Sequence, residues 1–100
     1  MLKKEIMTID PEIRKAAVQK MAENLAALRT ICHYSQADLA SLLGMSRQSL
    51  ISLEKGQRPM TWPVYLSLVL IFRRYEDTSK LMELMGIFPE SLKELYGDLH

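Results

Sequence analysis

The sequence has little of what secreted, disulfide-bonded or membrane-spanning proteins require. Its single cysteine, Cys32, cannot form an internal disulfide or a cysteine-rich metal site, which fits a reducing compartment. The longest apolar run, residues 64–72 interrupted by Ser67, is about half the length needed to cross a bilayer. Residues 1–5 are charged and no apolar signal-peptide core follows them. We therefore expect a cytoplasmic protein without a membrane span.

Groups of side chains suited to catalysis or metal binding are also missing. The two histidines, His33 and His100, stand alone, and we find no paired carboxylates, phosphate-binding glycine loop or catalytic triad. Cys32 and His33 are neighbours in sequence, which points their side chains apart on a helix and does not suit a nucleophile and its base. Cys32 is more simply interpreted as a small buried apolar residue. The sequence predicts no catalytic site, metal or cofactor.

The sequence does contain a regular series of helix signals. Asp10, Pro11 and Glu12 form a strong helix start, because aspartate caps exposed amides, proline suits the first helical position and glutamate favours the positive end of the helix dipole. Apolar residues follow at steps of three or four, which predicts one buried stripe and a helix to about His33. The stripe comprises Ile13, Ala17, Met21, Leu25, Leu28 and Cys32.

Two short helices are predicted next. Ser35 and Asp38 have the spacing of a capping box, with aspartate in place of glutamate, and Gly44 ends this second helix. Ser46 caps a third helix, which stops at Gly56. The expected buried faces are Leu39, Ala40, Leu42 and Leu43 on the second helix, and Leu50 and Leu53 on the third.

The fourth predicted helix begins at Thr61, with Pro63 in its first turn. Its side chains are apolar almost all round from Val64 to Phe72, so we expect it to be covered on more than one side. The candidate covers are the N-terminal turns and the C-terminal helices, from the same chain or a partner. We expect a partner to supply the segment after Asp77.

A fifth helix is expected to begin with Asp77 or Thr78 as its cap and to end at Gly86, and residues 89–96 add a short sixth. The apolar residues of the fifth are Leu81, Met82, Leu84 and Met85. No stretch alternates convincingly with a period of two. The sequence therefore predicts an all-α fold, a compact bundle of five to six helices.

Charge is distributed unevenly along the chain, although the total is only +1. Residues 29–75 hold six basic and two acidic side chains, whereas residues 76–100 hold two basic and six acidic ones. The net charges of these segments are therefore +4 and −4. Since affinity for phosphate depends on local basic density, we expect nucleic acid to meet the middle of the chain.

The second and third helices have the length and turn chemistry of a helix-turn-helix, with Gly44 supplying the sharp turn. Over about residues 22–72 the sequence resembles the Cro and C1 repressor type of helix-turn-helix family. The resemblance rests on Leu28-Arg29, Ser35-Gln36-Ala37-Asp38-Leu39-Ala40, Leu43-Gly44-Met45-Ser46-Arg47-Gln48-Ser49-Leu50 and Leu53-Glu54-Lys55-Gly56. It implies a lambda-repressor-like DNA-binding domain over residues 1–100, with an N-terminal helical extension at 1–21 and a C-terminal helical segment at 77–100.

The resemblance also implies which residues bind double-stranded DNA. The third helix would enter the major groove with its N-terminus first, directing Arg47, Gln48 and Ser52 toward base edges. Arginine pairs with guanine and glutamine with adenine through two hydrogen bonds, whereas serine is too short for such readout. The alternative is that these residues are solvated polar groups on an amphipathic helix.

Backbone contacts are implied for a second group of polar residues. Gln36 resembles the family's phosphate-contacting glutamine, and the amides at that helix N-terminus also attract a phosphate oxygen. The other candidates are Ser49, Lys55, Gln57 and Arg58. Such contacts set register and affinity without specifying sequence. The alternative is that each of these side chains is a solvated polar group that does not contact DNA.

Arg29 and Glu54 fall where the family usually places an ion pair between its first and third helices, so we interpret them as structural. The alternative is a screened surface pair. Ile51 departs from the family pattern, since its position is usually polar, and it either contacts a thymine methyl or packs with something that the short motif does not include. The long first helix is a second departure and suggests extra buried surface.

The resemblance further implies a homodimer on a palindromic operator, because one reading helix touches too few base pairs to select a genomic site. The function expected is sequence-specific transcription regulation, most simply repression. A protein-interaction module of the antitoxin type, which binds a toxin and autoregulates through the same motif, is the alternative.

Overall fold

A computed structural model describes residues 9–96, which fold into six helices with no strand among them. In chain order they are α1 (Pro11–Ile31), α2 (Gln36–Leu43), α3 (Arg47–Glu54), α4 (Trp62–Phe72), α5 (Glu76–Leu84) and α6 (Glu90–Tyr96). The all-α fold is confirmed. Within the described range, no helix combines the length and apolar character that a membrane span needs.

Helix α1 begins where its cap predicts. The Asp10 carboxylate accepts a hydrogen bond from the Glu12 amide at 2.9 Å, and Pro11 occupies the first helical position. The predicted stripe faces the core, with Ala17, Met21, Leu25 and Leu28 buried and Ile13 and Cys32 half-buried against the same cluster. This long helix is therefore the support on which α3, α4 and α5 pack.

Helix α4 is covered by its own chain, which corrects the expectation that a partner covers it. Tyr65, Leu68, Val69 and Phe72 are fully buried, and Val64, Leu66 and Ile71 pack partly against the same core. Part of the cover comes from the C-terminal segment, where Ile87, Phe88 and Leu92 are buried in this core. Among the large apolar side chains of this helix only Leu70 is largely exposed, at 55%.

Helix α5 starts at Glu76, before either of the two predicted caps. Tyr75 occupies the N-cap position without a side-chain cap, so neither Asp77 nor Thr78 performs that role. Thr78 lies inside the helix, fully buried, and its hydroxyl donates a hydrogen bond to the Phe72 carbonyl at the end of α4. The hydroxyl thus satisfies a carbonyl that the end of α4 leaves without a helical partner.

One apolar expectation was wrong for an individual residue. Leu42 on α2 is 56% exposed, although it was expected on a buried face, and on α5 the apolar Leu84 is 85% exposed. Met85 is also exposed, and Met82 is the fully buried apolar residue of α5. The outer face of the C-terminal segment is therefore more apolar than its charge suggests.

A buried hydrogen bond ties α4 to the C-terminal segment. The Tyr65 hydroxyl donates to the Ile87 carbonyl at 2.7 Å. Replacing Tyr65 by phenylalanine should lower the free energy of unfolding by about 1–2 kcal/mol, because a buried carbonyl loses its donor. Urea unfolding followed by circular dichroism measures the loss. Tyr34→Phe is the control, since the Tyr34 hydroxyl bonds to the Tyr75 hydroxyl at the surface; equal losses in both variants would contradict the argument.

Candidate nucleic-acid interface

Helix α2 is fixed at its start by a reciprocal capping box. The Asp38 amide donates to the Ser35 hydroxyl at 3.0 Å, and the Ser35 amide donates to the Asp38 carboxylate at 3.2 Å. The predicted box is confirmed, with aspartate doing the work of the usual glutamate. Gln36, the first residue of α2, is therefore held at a defined position on the surface.

The turn between α2 and α3 depends on Gly44. Its φ of 70° lies in the left-handed region, where a side chain would be strained. The amides of Gly44 and Met45 bond to the carbonyls of Ser41 and Ala40, at 3.1 and 3.0 Å. Ser46 then caps α3 by accepting a hydrogen bond from the Ser49 amide at 3.1 Å. These bonds fix the angle at which α3 leaves α2.

Helix α3 has one buried face and one open face. Leu50 and Leu53 are buried, whereas Arg47 and Gln48 are exposed in the first turn. Ile51 and Ser52 are half-buried and lie three and four residues after Gln48, a spacing that places them on its side of the helix. Ile51 is not among the side chains that pack against the core.

The side chains of Arg29 and Glu54 meet between α1 and α3. The Arg29 Nε atom lies 2.6 Å from Glu54 Oε2, and a second contact joins Nη2 and Oε1 at 3.4 Å. Arg29 Nη1 also donates to the Tyr34 carbonyl at 3.0 Å. The side chains are only 16% and 7% exposed, so the pair is partly desolvated. This contact joins the last residue of α3 to the supporting helix α1.

Gln36 connects this ion pair to the first residue of α3. Its amide nitrogen donates to Glu54 Oε1 at 3.0 Å, and its amide oxygen accepts from Arg47 Nη2 at 3.2 Å. The structure thus brings together a predicted backbone contact, a predicted base contact and the ion pair. One amide hydrogen of Gln36 and several donors of Arg47 remain for other partners.

The remaining backbone candidates divide into two groups. Ser49 and Arg58 meet, since Arg58 Nη1 donates to the Ser49 hydroxyl at 2.8 Å. Lys55 and Gln57 are exposed at the end of α3 and in the loop that follows. The structure therefore places two of these residues in one contact and leaves the other two beyond the C-terminal end of the helix.

The sequence did not indicate the series of side-chain hydrogen bonds that runs from Glu54 through Gln36 to Arg47. Neither the capping pattern nor the apolar spacing relates these polar side chains to one another. Their separation along the chain hides the contact, since Gln36 and Arg47 are 11 residues apart on different helices. The participation of the Tyr34 carbonyl was likewise unpredicted.

The described residues contain no group of three or more histidine, cysteine or acidic side chains arranged to hold a metal. Cys32 lies against Thr78, with 3.7 Å between Sγ and Oγ1. Burial raises the pKa of the Cys32 thiol, an effect that the hydrogen bond to Thr78 partly offsets. The thiol therefore stays protonated near neutral pH and is a weak nucleophile.

Comparison with protein families matches residues 20–86 to the helix-turn-helix domain. The match covers 67 of the 100 residues, and the chain belongs to this family of helix-turn-helix domains, which occurs in XRE-like regulators. The geometry of α2 and α3 and this membership define a DNA-binding regulator. Comparisons with curated proteins and with solved structures found no match.

Proposed function

We propose that the protein is a sequence-specific transcriptional repressor of the Cro/C1 type, which reads the major groove with the first turns of α3. The observation that carries this proposal is the open face of α3 beside its fixed N-terminus, where Arg47 and Gln48 are exposed. Repression requires only that the protein occupy its operator. Such a protein acts where the DNA is, which in a bacterial cell is the cytoplasm.

Base readout is assigned to the open face of α3. Arg47 and Gln48 supply bidentate hydrogen bonds to guanine and adenine, each favouring the correct base by about 1–3 kcal/mol. Ser52 adds a single hydrogen bond on the same face. Ile51 favours the thymine-methyl alternative, because it lies beside Gln48 and Ser52 and does not pack against the core.

Backbone contacts are assigned to the residues that surround this face. Gln36 offers its free amide hydrogen, and the N-terminal amides of α2 add their positive dipole end. Arg58 and Ser49 act together through their hydrogen bond. Lys55 and Gln57 extend the contacts past the C-terminal end of α3. These residues position the protein on DNA and do not select sequence.

Selection of bound duplexes from a random DNA pool tests the function. We expect an enriched palindrome, because two reading helices related by a two-fold axis contact half-sites about 34 Å apart. A consensus with no symmetry would contradict the dimer, and failure to enrich any duplex would contradict sequence-specific binding.

A homodimer is supported by the exposed apolar side chains of the C-terminal half. Leu70 and Leu84 are 55% and 85% exposed, and Met85 is 39% exposed. The surrounding segment is acidic and should lie away from DNA phosphates, on the side where two subunits can meet. The same surface would hold a toxin if the protein were an antitoxin, so the oligomeric state separates the two functions.

Sedimentation velocity of Leu84→Glu checks the dimer. We expect a wild-type dimer and a variant shifted toward monomer, because a charge at a largely exposed leucine affects association more than folding. Leu42→Glu is the matched control, since Leu42 is 56% exposed on α2. A monomeric wild type that binds DNA as one chain per duplex would contradict the dimer. A monomer that selects no duplex would favour a protein-interaction module that does not read DNA.

A further inference from the structure

A cleft lies outside the helix-turn-helix, between the N-terminal half of α1 and the loop that follows α3. Its volume is about 490 Å³. The walls come from Arg14, Lys15, Val18, Gln19 and Ala22 on α1, and from Gly56, Arg58, Pro59, Met60 and Trp62 on the loop and α4. Val18, Ala22, Pro59, Met60 and Trp62 are apolar, while Arg14, Lys15 and Arg58 are exposed cations. We call the apolar part of this lining the floor of the cleft and the three cations its rim.

The positive charge of this rim is not neutralised within the described part of the chain. No aspartate or glutamate lines the cleft. The ion pairs between residues 9 and 96 join other partners: Arg29 with Glu54, Arg73 and Lys93 with Glu83, Lys80 with Glu76, and Lys93 with Glu90. Three cations facing one cleft attract an anion with several charges.

The rim is also ordered before any anion arrives. The Arg14 guanidinium lies 5.7 Å from the centre of the Trp62 ring, which itself stacks on Tyr65 with 4.8 Å between ring centroids. Arg58 is held by its hydrogen bond to Ser49. Fixing both arginines lowers the entropy lost when they bind a phosphate.

The position of the cleft connects it to α3. Arg58 belongs to its rim and also bonds to Ser49 in the first turns of the reading helix. Arg14, Lys15, Val18 and Gln19 precede residue 20, where the family match begins. The rim thus continues the basic surface of the motif onto a segment outside the matched domain.

We propose that Arg14 and Lys15, together with Arg58, form a second phosphate-binding site that extends the DNA interface beyond the helix-turn-helix. The inference rests on the proposed function and adds backbone contacts to the DNA that flanks the recognised bases. The exposed cations bind phosphate oxygens, and the apolar floor accommodates deoxyribose. Because these contacts are independent of base sequence, they increase affinity for every duplex.

The salt dependence of duplex binding tests the site. Each phosphate contact steepens the slope of log K against log salt by about 0.9, so Arg14→Gln with Lys15→Gln should make the slope shallower by about 2. A scrambled duplex long enough to extend past the motif serves as the probe, with affinity measured by fluorescence anisotropy between 50 and 200 mM salt, roughly the range in which such slopes are measured. The glutamines retain part of each aliphatic stem and remove the charge.

Lys20→Gln with Lys80→Gln is the control that removes the same charge elsewhere. Lys20 lies against Gly86, where an added Cβ would be 3.0 Å from its Nζ atom, and Lys80 pairs with Glu76 on α5. We expect the control slope to match the wild type. If both double variants change the slope equally, or neither does, the second site is wrong. Loss of the Arg14 contact with Trp62 alone would alter stability without changing the slope.

A shortened duplex separates this inference from the proposed function. Trimming the flanking base pairs should make the wild-type slope shallower by about 2 more than it changes the slope of the double variant, which keeps only Arg58 at this site. Trp62, the single tryptophan, reports the same event, and its emission should change on the long duplex only. Wild-type binding with equal slopes on both duplexes would overturn the second site alone, whereas no binding to any duplex would overturn both proposals.

Discussion

Replacing Glu54 by glutamine is expected to lower the free energy of unfolding by about 2–4 kcal/mol. The substitution retains the shape of the side chain but leaves the Arg29 guanidinium partly buried without its anion. One-sided loss of a fully buried pair costs about 3–5 kcal/mol, and the 16% exposure of Arg29 places this pair somewhat lower. Urea unfolding monitored by circular dichroism at pH 7 measures the change.

Two companion variants make this prediction specific. Glu76→Gln removes an acid that is 78% exposed and pairs with Lys80, and it should cost less than about 1 kcal/mol. Replacing both Arg29 and Glu54 by methionine should cost less than Glu54→Gln, because removal of both charges leaves neither one buried alone. If Glu54→Gln is as mild as Glu76→Gln, the pair is a screened surface contact.

Glu54→Gln should also affect DNA binding, through the series of side-chain hydrogen bonds that begins at Glu54. Gln36 is held by Glu54 on one side and by Arg47 on the other. Changing the acceptor at position 54 removes the charge that fixes the Gln36 amide. Arg47 then loses a positioned partner, although it touches neither Glu54 nor Arg29 directly in these contacts. We therefore expect Glu54→Gln to change both the stability and the proposed base readout.

Local signals account for the helix boundaries that the sequence predicted well. Asp10, Ser35, Ser46 and Thr61 each act as N-caps, and each accepts a hydrogen bond from an amide two or three residues later. Such contacts depend only on nearby residues, so their spacing is visible in the sequence. The turn at Gly44 was predictable for the same reason.

Tertiary contacts explain where the predictions failed. Thr78 has the chemistry of an N-cap, but its hydroxyl bonds to the Phe72 carbonyl across the α4–α5 connection and leaves the cap position to Tyr75. Leu42 and Leu84 continue apolar patterns on their helices, yet no neighbouring element reaches them in the described chain. Periodicity identifies a face that can be buried, and only the packing of helices determines how far burial extends.

The candidate site likewise has parts that sequence patterns predict and parts that depend on tertiary packing. The proposed base-reading residues and the pairing of Arg29 with Glu54 were predicted from a resemblance to known motifs. Such motifs keep a fixed spacing between residues over about 30 positions. The cleft was not predicted from the sequence, because Arg14 and Arg58 approach each other only when α1 packs beside the loop after α3. A basic residue on a predicted helix carries no sign of its partners, so the sequence alone gave no reason to group these two arginines.

Arg47→Ala is expected to weaken binding to the selected operator by about 1–3 kcal/mol, roughly 5- to 150-fold, and to relax the preference at one base pair. The cause is loss of a bidentate contact that discriminates between bases. Gln48→Ala should have an effect of similar size at a neighbouring base pair. Both side chains are exposed, so the unfolding free energy should change little.

Comparison of the two variants across operator sequences distinguishes base readout from a general loss of charge. Arg47 bonds to Gln36, whereas Gln48 has no side-chain hydrogen bond within the described residues, so only Arg47→Ala also removes the donor to the Gln36 amide oxygen, while the Gln36 amide nitrogen stays bonded to Glu54. Arg47→Lys keeps the charge but loses the planar fork, and it should recover binding to scrambled duplexes without restoring the lost base preference. Arg47→Ala that weakens operator and scrambled DNA by the same factor would instead identify Arg47 as a backbone contact. In that case Gln48→Ala alone would test base readout. If Gln48→Ala bound operator and scrambled duplexes with unchanged affinity, α3 would not read bases through its first turn.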